Sequence, residues 1–288
     1  MTKTINEVYL DLLRQLKEGG DPQPALSARE ITAFACQADK RQTAEWAHVY
    51  LEDATVQQAQ ALCERCLDGE PLAYILSEWD FYGLTFNLNR SVLIPRPDTE
   101  RLCELAIAEA YQIIKPRILD LCCGSGCIGL AIAHEITEAQ VVGVDISEEA
   151  VTLSLENAKR LGVQERYTAL QADVMKKPKL SEKPFDILVA NPPYISRSEM
   201  AKLDKSVADF EPLIALYGGD DGLNFYPPIC ELWSELLAPG GMIFLECGYT
   251  QAQKVAEILI NCQYENIDIS EDLLGIPRVV YGYKPEKT

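Results

Sequence analysis

The tetrapeptide Asn191-Pro192-Pro193-Tyr194 follows an apolar run, Phe185-Asp-Ile-Leu-Val-Ala190, that reads as a buried strand. The asparagine side-chain oxygen and the Pro192 carbonyl are both hydrogen-bond acceptors, and their natural target is a planar NH2 group. The lone pair of an amide or an exocyclic amine is delocalised, so its nitrogen is a poor nucleophile. Acceptors pulling on its two N–H bonds help rehybridise it. Proline fixes the backbone so that its carbonyl points one way, and Tyr194 offers a flat face to a planar group. Asn-Pro and Pro-Pro also mark ordinary turns. Directly after the fourth strand of an alternating domain, the chemical reading is favoured.

A second constellation lies upstream, in Ile118-Leu-Asp120-Leu-Cys122-Cys123-Gly124-Ser125-Gly126-Cys-Ile-Gly129. Glycines at a strand-to-helix turn let a ligand approach the backbone closely. Asp145 follows at about the interval expected of a ribose-binding carboxylate. The spacing Gly124-x-Gly126-x-x-Gly129 formally satisfies the dinucleotide fingerprint, which keeps a nicotinamide cofactor open. Asp120 and the later Asp173 favour S-adenosylmethionine instead. Its sulfonium and amine suit nearby carboxylates, which would repel a pyrophosphate.

The remaining candidates are structural. Of the ten cysteines, Cys63 and Cys66 form a CxxC with no second pair at zinc spacing, and there are only two histidines. Residues i and i+3 share a helix face, so this pair packs and no metal site is expected. The formal net charge of −18 argues against nucleic acid as a direct partner. The one dense basic stretch, Lys176-Lys177-Pro-Lys179 with Lys183, reads as a solvated loop. No apolar run is long enough to span a membrane and no signal-peptide centre is visible, which points to the cytoplasm.

The elements that must position these residues alternate from about residue 98. Candidate strands are 117–121, 140–144, 167–172, 185–190, 241–246, 264–269 and 278–283, with helices between the first five, such as 147–161 capped by Ser147. This pattern predicts an α/β fold with a mostly parallel, doubly wound sheet, antiparallel at one edge. The ligand is expected beyond the carboxyl ends of the strands, where strand order reverses. Residues 1–77 read as a small helical bundle. Ile5, Val8, Leu12, Leu13 and Leu16 share one face, and Gly19-Gly20 ends that helix. Ser27-Ala-Arg-Glu30 and Thr55-Val-Gln-Gln58 fit the capping box, and Asp39 suits the cap of a helix carrying Trp46 and Tyr50. Residues 78–97 are expected to form a β-hairpin linker with its turn at Asn89-Arg90-Ser91, and residues 98–288 the second domain.

With these motifs in place the chain resembles class I methyltransferases of the amino-methylating group, and most closely the bacterial release factor glutamine N5-methyltransferases. The resemblance covers nearly the whole chain. Beside Asn191–Tyr194 it includes Phe81-Tyr-Gly-Leu-x-Phe, Val92-Leu-Ile-Pro-Arg-Pro-Asp-Thr-Glu100, Phe210-Glu-Pro-Leu-x-Ala-Leu-x-Gly-Gly-x-Asp-Gly222 and Leu245-Glu-Cys-Gly248. It implies a seven-stranded methyltransferase sheet behind a small helical domain that helps grip the substrate. It implies methyl transfer from S-adenosylmethionine, leaving S-adenosylhomocysteine, to the glutamine side-chain amide in the Gly-Gly-Gln loop of peptide chain release factors. Asn191, Pro192 and Pro193 would hold that amide and Tyr194 would pack on it. The turn Cys122-Cys123-Gly124-Ser125-Gly126, with Asp120, would serve the methionine part of the donor, Asp145 the ribose, and Asp173 with Val174 the adenine. Cys122 stands where the family usually has glycine. Nothing in the resemblance assigns chemical steps to Arg96, Thr99 and Glu100, and Glu211 and Glu246 read as supports. Rival substrates are a glutamine of a ribosomal protein and adenine in nucleic acid; a dehydrogenase and a non-catalytic donor sensor are more distant. A monomer is expected.

Overall fold

The structure is a computed structural model and describes residues 2–38, 40–179 and 183–286. The chain divides into two compact units, Met1–Ser77 with Asp204–Phe210, and Glu78–Leu203 with Glu211–Thr288.

The first unit contains helices α1 (Ile5–Glu18), α2 (Pro24–Ala35), α3 (Lys40–Glu45), α4 (Asp53–Leu67) and α5 (Leu72–Leu76). Val8, Leu12 and Leu16 of α1 meet Ala28 and Ile31 of α2, Leu62 and Cys63 of α4 and Ile75 of α5 in one core. The cysteine pair lies on α4, where Cys63 is buried and Cys66 bonds Asp21 at 3.2 Å. The capping boxes fall elsewhere than expected. Among the described residues of this unit, the one that forms is Thr4 with Glu7: Thr4 Oγ1 accepts from Glu7 N at 3.2 Å and Glu7 accepts from Thr4 N at 2.8 Å. Ser27 lies inside α2 because Pro24, pre-set for helix, starts that element earlier. Thr55 likewise lies inside α4, which begins at Asp53. Trp46 and Tyr50 fall beyond α3, and Tyr50 instead bridges to Thr4. Asp39 lies outside the described residues.

The second unit opens with a hairpin, β1 (Glu78–Phe81) and β2 (Leu84–Asn87). Its turn is Tyr82-Gly83, at φ +51° and +72°. Positive φ at both central residues matches the twist of paired strands, and this displaces the expected turn at Asn89–Ser91. That segment forms an Asx turn after the hairpin, with Asn89 Oδ1 accepting from Ser91 N at 2.9 Å. Val92–Ile94 continues outside the strands, with Ile94 N donating to Glu211 Oε2 at 3.3 Å. The hairpin belongs to this second unit.

The remaining elements are α6 (Glu100–Ala110), β3 (Arg117–Leu121), α7 (Cys127–Glu135), β4 (Gln140–Asp145), α8 (Glu148–Arg160), β5 (Tyr167–Gln171), β6 (Phe185–Ala190), α9 (Arg197–Met200), α11 (Tyr226–Leu232), β7 (Leu237–Glu246), α12 (Ala252–Asn261), β8 (Glu265–Glu271) and β9 (Pro277–Tyr283). Helix α10 (Lys205–Ala208) falls in the segment grouped with the first unit. The seven strands lie in the order β5-β4-β3-β6-β7-β9-β8. The sheet is parallel except for β9, which runs antiparallel to both β7 and β8. This is the expected doubly wound sheet with an antiparallel edge. Alternate residues divide between two cores. Ile118, Val141, Ile187 and Phe244 face Leu102, Leu130 and Ala131; Leu119, Val142, Leu188 and Ile243 face Trp233, Val255 and Leu259.

Chain order reverses between β3 and β6. Their register pairs Leu121 with Ala190, and the next pairing sets Ala190 beside Leu245. Cys122, Asn191 and Glu246 therefore leave three adjacent strand ends together. Among the described residues, no helix is long and apolar enough to cross a membrane.

Candidate active site

The glycine turn leaves β3 in the left-handed region: Cys122, Gly124 and Gly126 have φ +59°, +54° and +80°. Asp145, at the end of β4, locks this loop in place. Its Oδ2 accepts from Gly124 N at 2.9 Å and its Oδ1 from Ser147 N at 3.0 Å. Burial raises the Asp145 carboxyl above its ordinary range, against the pull of those amides. Asp120 takes a different place from the one its sequence position suggests. It is fully buried beneath the loop, away from the cavity wall, and its Oδ2 accepts from Gly129 N at 2.9 Å. Gly126, the cap position of α7, has no side chain to offer, so Asp120 caps the helix across the turn. Gly129 permits the approach, because a Cβ there would stand 2.8 Å from that carboxylate oxygen.

A cavity of ≈ 270 Å³ opens over the strand ends. Cys122, Cys123, Gly124 and Ser125 form one wall. Asp145, Ile146 and Ser147 form the next, and Ala172 to Met175 the far end. Asn191 and Pro193 close the side toward β6, and Arg96, Thr99, Ile214 and Phe225 also line the cavity. Burial pushes the Asp173 carboxyl up, but Lys176 at 3.0 Å and the Met175 amide at 2.9 Å outweigh it and hold it below its ordinary value. Lys177 is paired as well, with Glu235 at 2.8 Å. Buried Trp233 fixes the Val174 backbone by donating to its carbonyl at 3.0 Å. Arg96 is the one basic side chain on the wall among the described residues, and Glu211 engages it. Two carboxylates, a glycine turn, an apolar end and a committed cation fit S-adenosylmethionine better than a pyrophosphate.

The Asn191 side chain points its Nδ2 at Thr99 Oγ1, 3.3 Å away. Tyr194 Oη donates to Glu246 Oε1 at 3.4 Å. The loop 217–222 braces the tetrapeptide from behind. Ile195 N donates to the Leu216 carbonyl and Gly218 N to the Ile195 carbonyl, both at 2.9 Å. Gln251 Nε2 holds the Tyr194 carbonyl at 2.8 Å. Glycine is required here: a Cβ on Gly222, at φ +79°, would stand 2.2 Å from the Tyr194 carbonyl oxygen.

Comparison with known proteins agrees with this architecture. Residues 7–76 match the PrmC N-terminal domain and residues 115–266 a methyltransferase domain. The release factor glutamine methyltransferase of Koribacter versatilis is 35% identical over 283 residues, 98% of this chain and 99% of that protein. That of Thermodesulfovibrio yellowstonii is 41% identical over 261 residues, covering 88% and 90%. The chain belongs to the release factor glutamine methyltransferase family. A methyltransferase crystal structure from Pyrococcus furiosus shares the fold at a TM-score of 0.52 and 16% identity, covering 80% of this chain and 98% of that one.

As a member of this family the chain is an S-adenosylmethionine-dependent methyltransferase. Of the residues singled out in the sequence, Cys122, Cys123, Gly124, Ser125, Asp145, Asp173, Val174, Asn191 and Pro193 line the cavity. Asp120, Gly126, Pro192 and Tyr194 stand behind it. The structure also gives places to residues that the family segments left without a role. Arg96 and Thr99 are on the cavity wall. Glu211 bonds Ile94 N at 3.3 Å and ion-pairs Arg96. Glu100 accepts from Tyr82 N at 2.8 Å, tying hairpin to α6. Glu246 holds Tyr194. Ile146 and Phe225 had no local signal at all; only the fold brings them to the cavity wall.

Proposed function

We propose that this protein methylates the side-chain amide N5 of the glutamine in the Gly-Gly-Gln loop of peptide chain release factors. The observation that carries this reading is the anchored Asn191 amide. With Nδ2 held by Thr99, Oδ1 remains to accept an N–H of a substrate amide beside the donor cavity. The Pro192 carbonyl supplies the second acceptor and Tyr194 flanks the amide plane. The turn from Cys122 to Gly126 holds the methionine end of the donor, Asp145 the ribose hydroxyls, and Asp173 with Val174 the adenine. S-adenosylmethionine supplies an electrophilic methyl on a sulfonium, a leaving group good enough that orientation outweighs acid–base help. The residues here orient and polarise the amide, and its surplus proton passes to solvent after transfer. The helical N-terminal unit provides a second grip on the factor. The protein works as a cytoplasmic monomer without direct nucleic-acid binding.

The test is incorporation of labelled methyl from S-adenosylmethionine into purified release factor. Its controls are a Gln→Ala mutant of the Gly-Gly-Gln loop, ribosomal protein and DNA. Label in the wild-type factor alone supports the proposal. Label in the mutant factor, ribosomal protein or DNA overturns the substrate assignment.

A further inference from the structure

We infer that Arg278 of β9 is a positioning residue for the transfer: through Asp98 it clamps the short turn Pro97–Thr99, whose Thr99 hydroxyl anchors the Asn191 amide. This rests on the reading above that Asn191 accepts from the substrate amide. Strand β9 runs antiparallel to β7, and their register sets Val279 beside Glu246. The start of β9 therefore lies at the carboxyl ends of the parallel strands, where a parallel neighbour would bring its last residues instead. Arg278 directly precedes Val279, and its carbonyl accepts from Cys247 N at 2.9 Å. Reversal of this one strand thus delivers a guanidinium to the end of the sheet from which Asn191 emerges.

The guanidinium spans two carboxylates. Nε donates to Asp272 Oδ2 at 3.2 Å, and Nη2 pairs with Asp98 Oδ2 at 3.0 Å. The Arg278 side chain is 16% exposed and that of Asp272 4%, so water competes little for the first of these bonds. Asp272 is itself fixed, because its Oδ1 accepts from Leu274 N at 2.8 Å and from Ile276 N at 3.0 Å. The arginine is therefore anchored on the turn between β8 and β9 and reaches from there to Asp98. Its planar fork suits this double engagement, whereas a lysine offers a single nitrogen.

The clamp matters because of what Asp98 belongs to. Pro97–Thr99 is a single turn of 3-10 helix, a geometry with poor internal hydrogen bonds, and the segment leading into it lies outside the strands. Side-chain anchors must therefore locate it. Arg96 pairs with buried Glu211, and Asp98 with Arg278. Thr99, 2% exposed and on the cavity wall, accepts from Asn191 Nδ2 at 3.3 Å. Releasing Asp98 lets the turn shift, and a bond already at 3.3 Å breaks on a small displacement. The Asn191 amide then loses the contact that reserves Oδ1 for the substrate.

The experiment is steady-state methyl transfer to release factor by Arg278→Gln and Asp98→Ala, each made in the wild-type and in the Asn191→Ala background. The side-chain NH2 resonances of Asn191 are followed by NMR in the substrate-free proteins. Asp98→Ala removes the same contact from its more exposed side and leaves Arg278 on Asp272, so it decides the matter where Arg278→Gln folds poorly. Each variant should lower kcat about tenfold, the scale of one well-placed hydrogen bond, with KM for the factor and donor Kd within about twofold. Combining the two should lose no more than either alone, because both break one contact. Neither should slow the Asn191→Ala protein further, and both should shift the Asn191 resonances where that residue is present. Arg101→Gln, which removes a partly exposed contact to Ser270 of β8, should leave kcat within about twofold. A wild-type kcat in both variants, an undiminished loss on top of Asn191→Ala, or unmoved Asn191 resonances would overturn the inference. Shifted resonances in a protein that fails to label the factor would uphold the clamp and remove the substrate reading alone.

Discussion

Asp120 Oδ2 accepts the amide proton of Gly129 at 2.9 Å, while its Oδ1 is buried without a partner among the described residues. One carboxylate at the end of β3 thus holds the first turn of α7 under the donor loop, at the cost of burying a charge. Burial raises this carboxyl from 3.8 to about 7, against the opposing pull of the Gly129 amide.

The sign of the pH effect follows from that direction. A group whose folded pKa exceeds its unfolded one stabilises the fold fully below the unfolded value, and that contribution is lost as pH rises through the folded value. Melting temperature should therefore decline from pH 3.8 to about 7 and level off above that. Asp120→Asn keeps an oxygen for Gly129 and removes the buried charge. It should gain about 1–2 kcal/mol at pH 8, a discounted share of the roughly 1.4 kcal/mol that each pKa unit of the shift represents. The variant should also flatten the slope to the share due to the other raised carboxyls, Glu246 and Asp145. Melts at pH 5.5, 7 and 8 test this; an unchanged slope would assign the dependence to other groups.

Cys122 occupies left-handed backbone at φ +59° on the cavity wall. Cysteine tolerates this at a cost of about 1–2 kcal/mol, and a β-branched side chain does so poorly. Cys122→Val should lower stability by about 2 kcal/mol. Cys122→Gly should lie within about 1 kcal/mol of wild type, since strain relief offsets added chain entropy. Its donor Kd should move less than about threefold, under 1 kcal/mol. Urea unfolding and calorimetric titration give both numbers. A far tighter donor in Cys122→Gly would mean the thiol obstructs the site.

Gly222→Ala places a methyl 2.2 Å from the Tyr194 carbonyl at a backbone angle of +79°. The loop must shift, and the tetrapeptide with it. Displacement of about 1 Å at a reacting centre can cost about a hundredfold. Turnover should fall on that scale while donor affinity, on the proposed site at the ends of β3 to β5, changes little. Equal loss of both would mean that the loop holds the donor too.

Asn191→Ala should lower turnover about a hundredfold, the scale of losing one preorganised hydrogen-bonding group at a reacting atom. Donor Kd should stay within a few-fold. Matched kinetics and donor titration decide it, and parallel losses would make Asn191 chiefly a wall of the cavity.

The sequence by itself determined the strands that matter. β3 and β6 match their expected bounds, because strands buried on both faces are short apolar runs cut off by glycine or proline. Ser147 caps α8 as expected, accepting from Ala150 N at 3.1 Å. The tetrapeptide and the glycine turn were legible for the same reason: each is a compact pattern tied to the end of one strand. Local patterns of lower information misled. Ser27 and Thr55 satisfy a capping pattern, yet Pro24 and Asp53 begin those helices. Asn89–Ser91 resembles a hairpin turn, yet Tyr82-Gly83 supplies the twist.

Only the tertiary structure decided what Asp120, Thr99 and Glu246 do. Asp120 looks like a ligand residue in the sequence and becomes a helix cap, because its strand position points it at α7 and away from the cavity. Thr99 lies 92 positions from Asn191, and Glu246 lies 52 from Tyr194. No periodicity links such residues. Strand order sets β6 beside β7, and burial there removes water, so Asn191 turns to Thr99 and Tyr194 to Glu246.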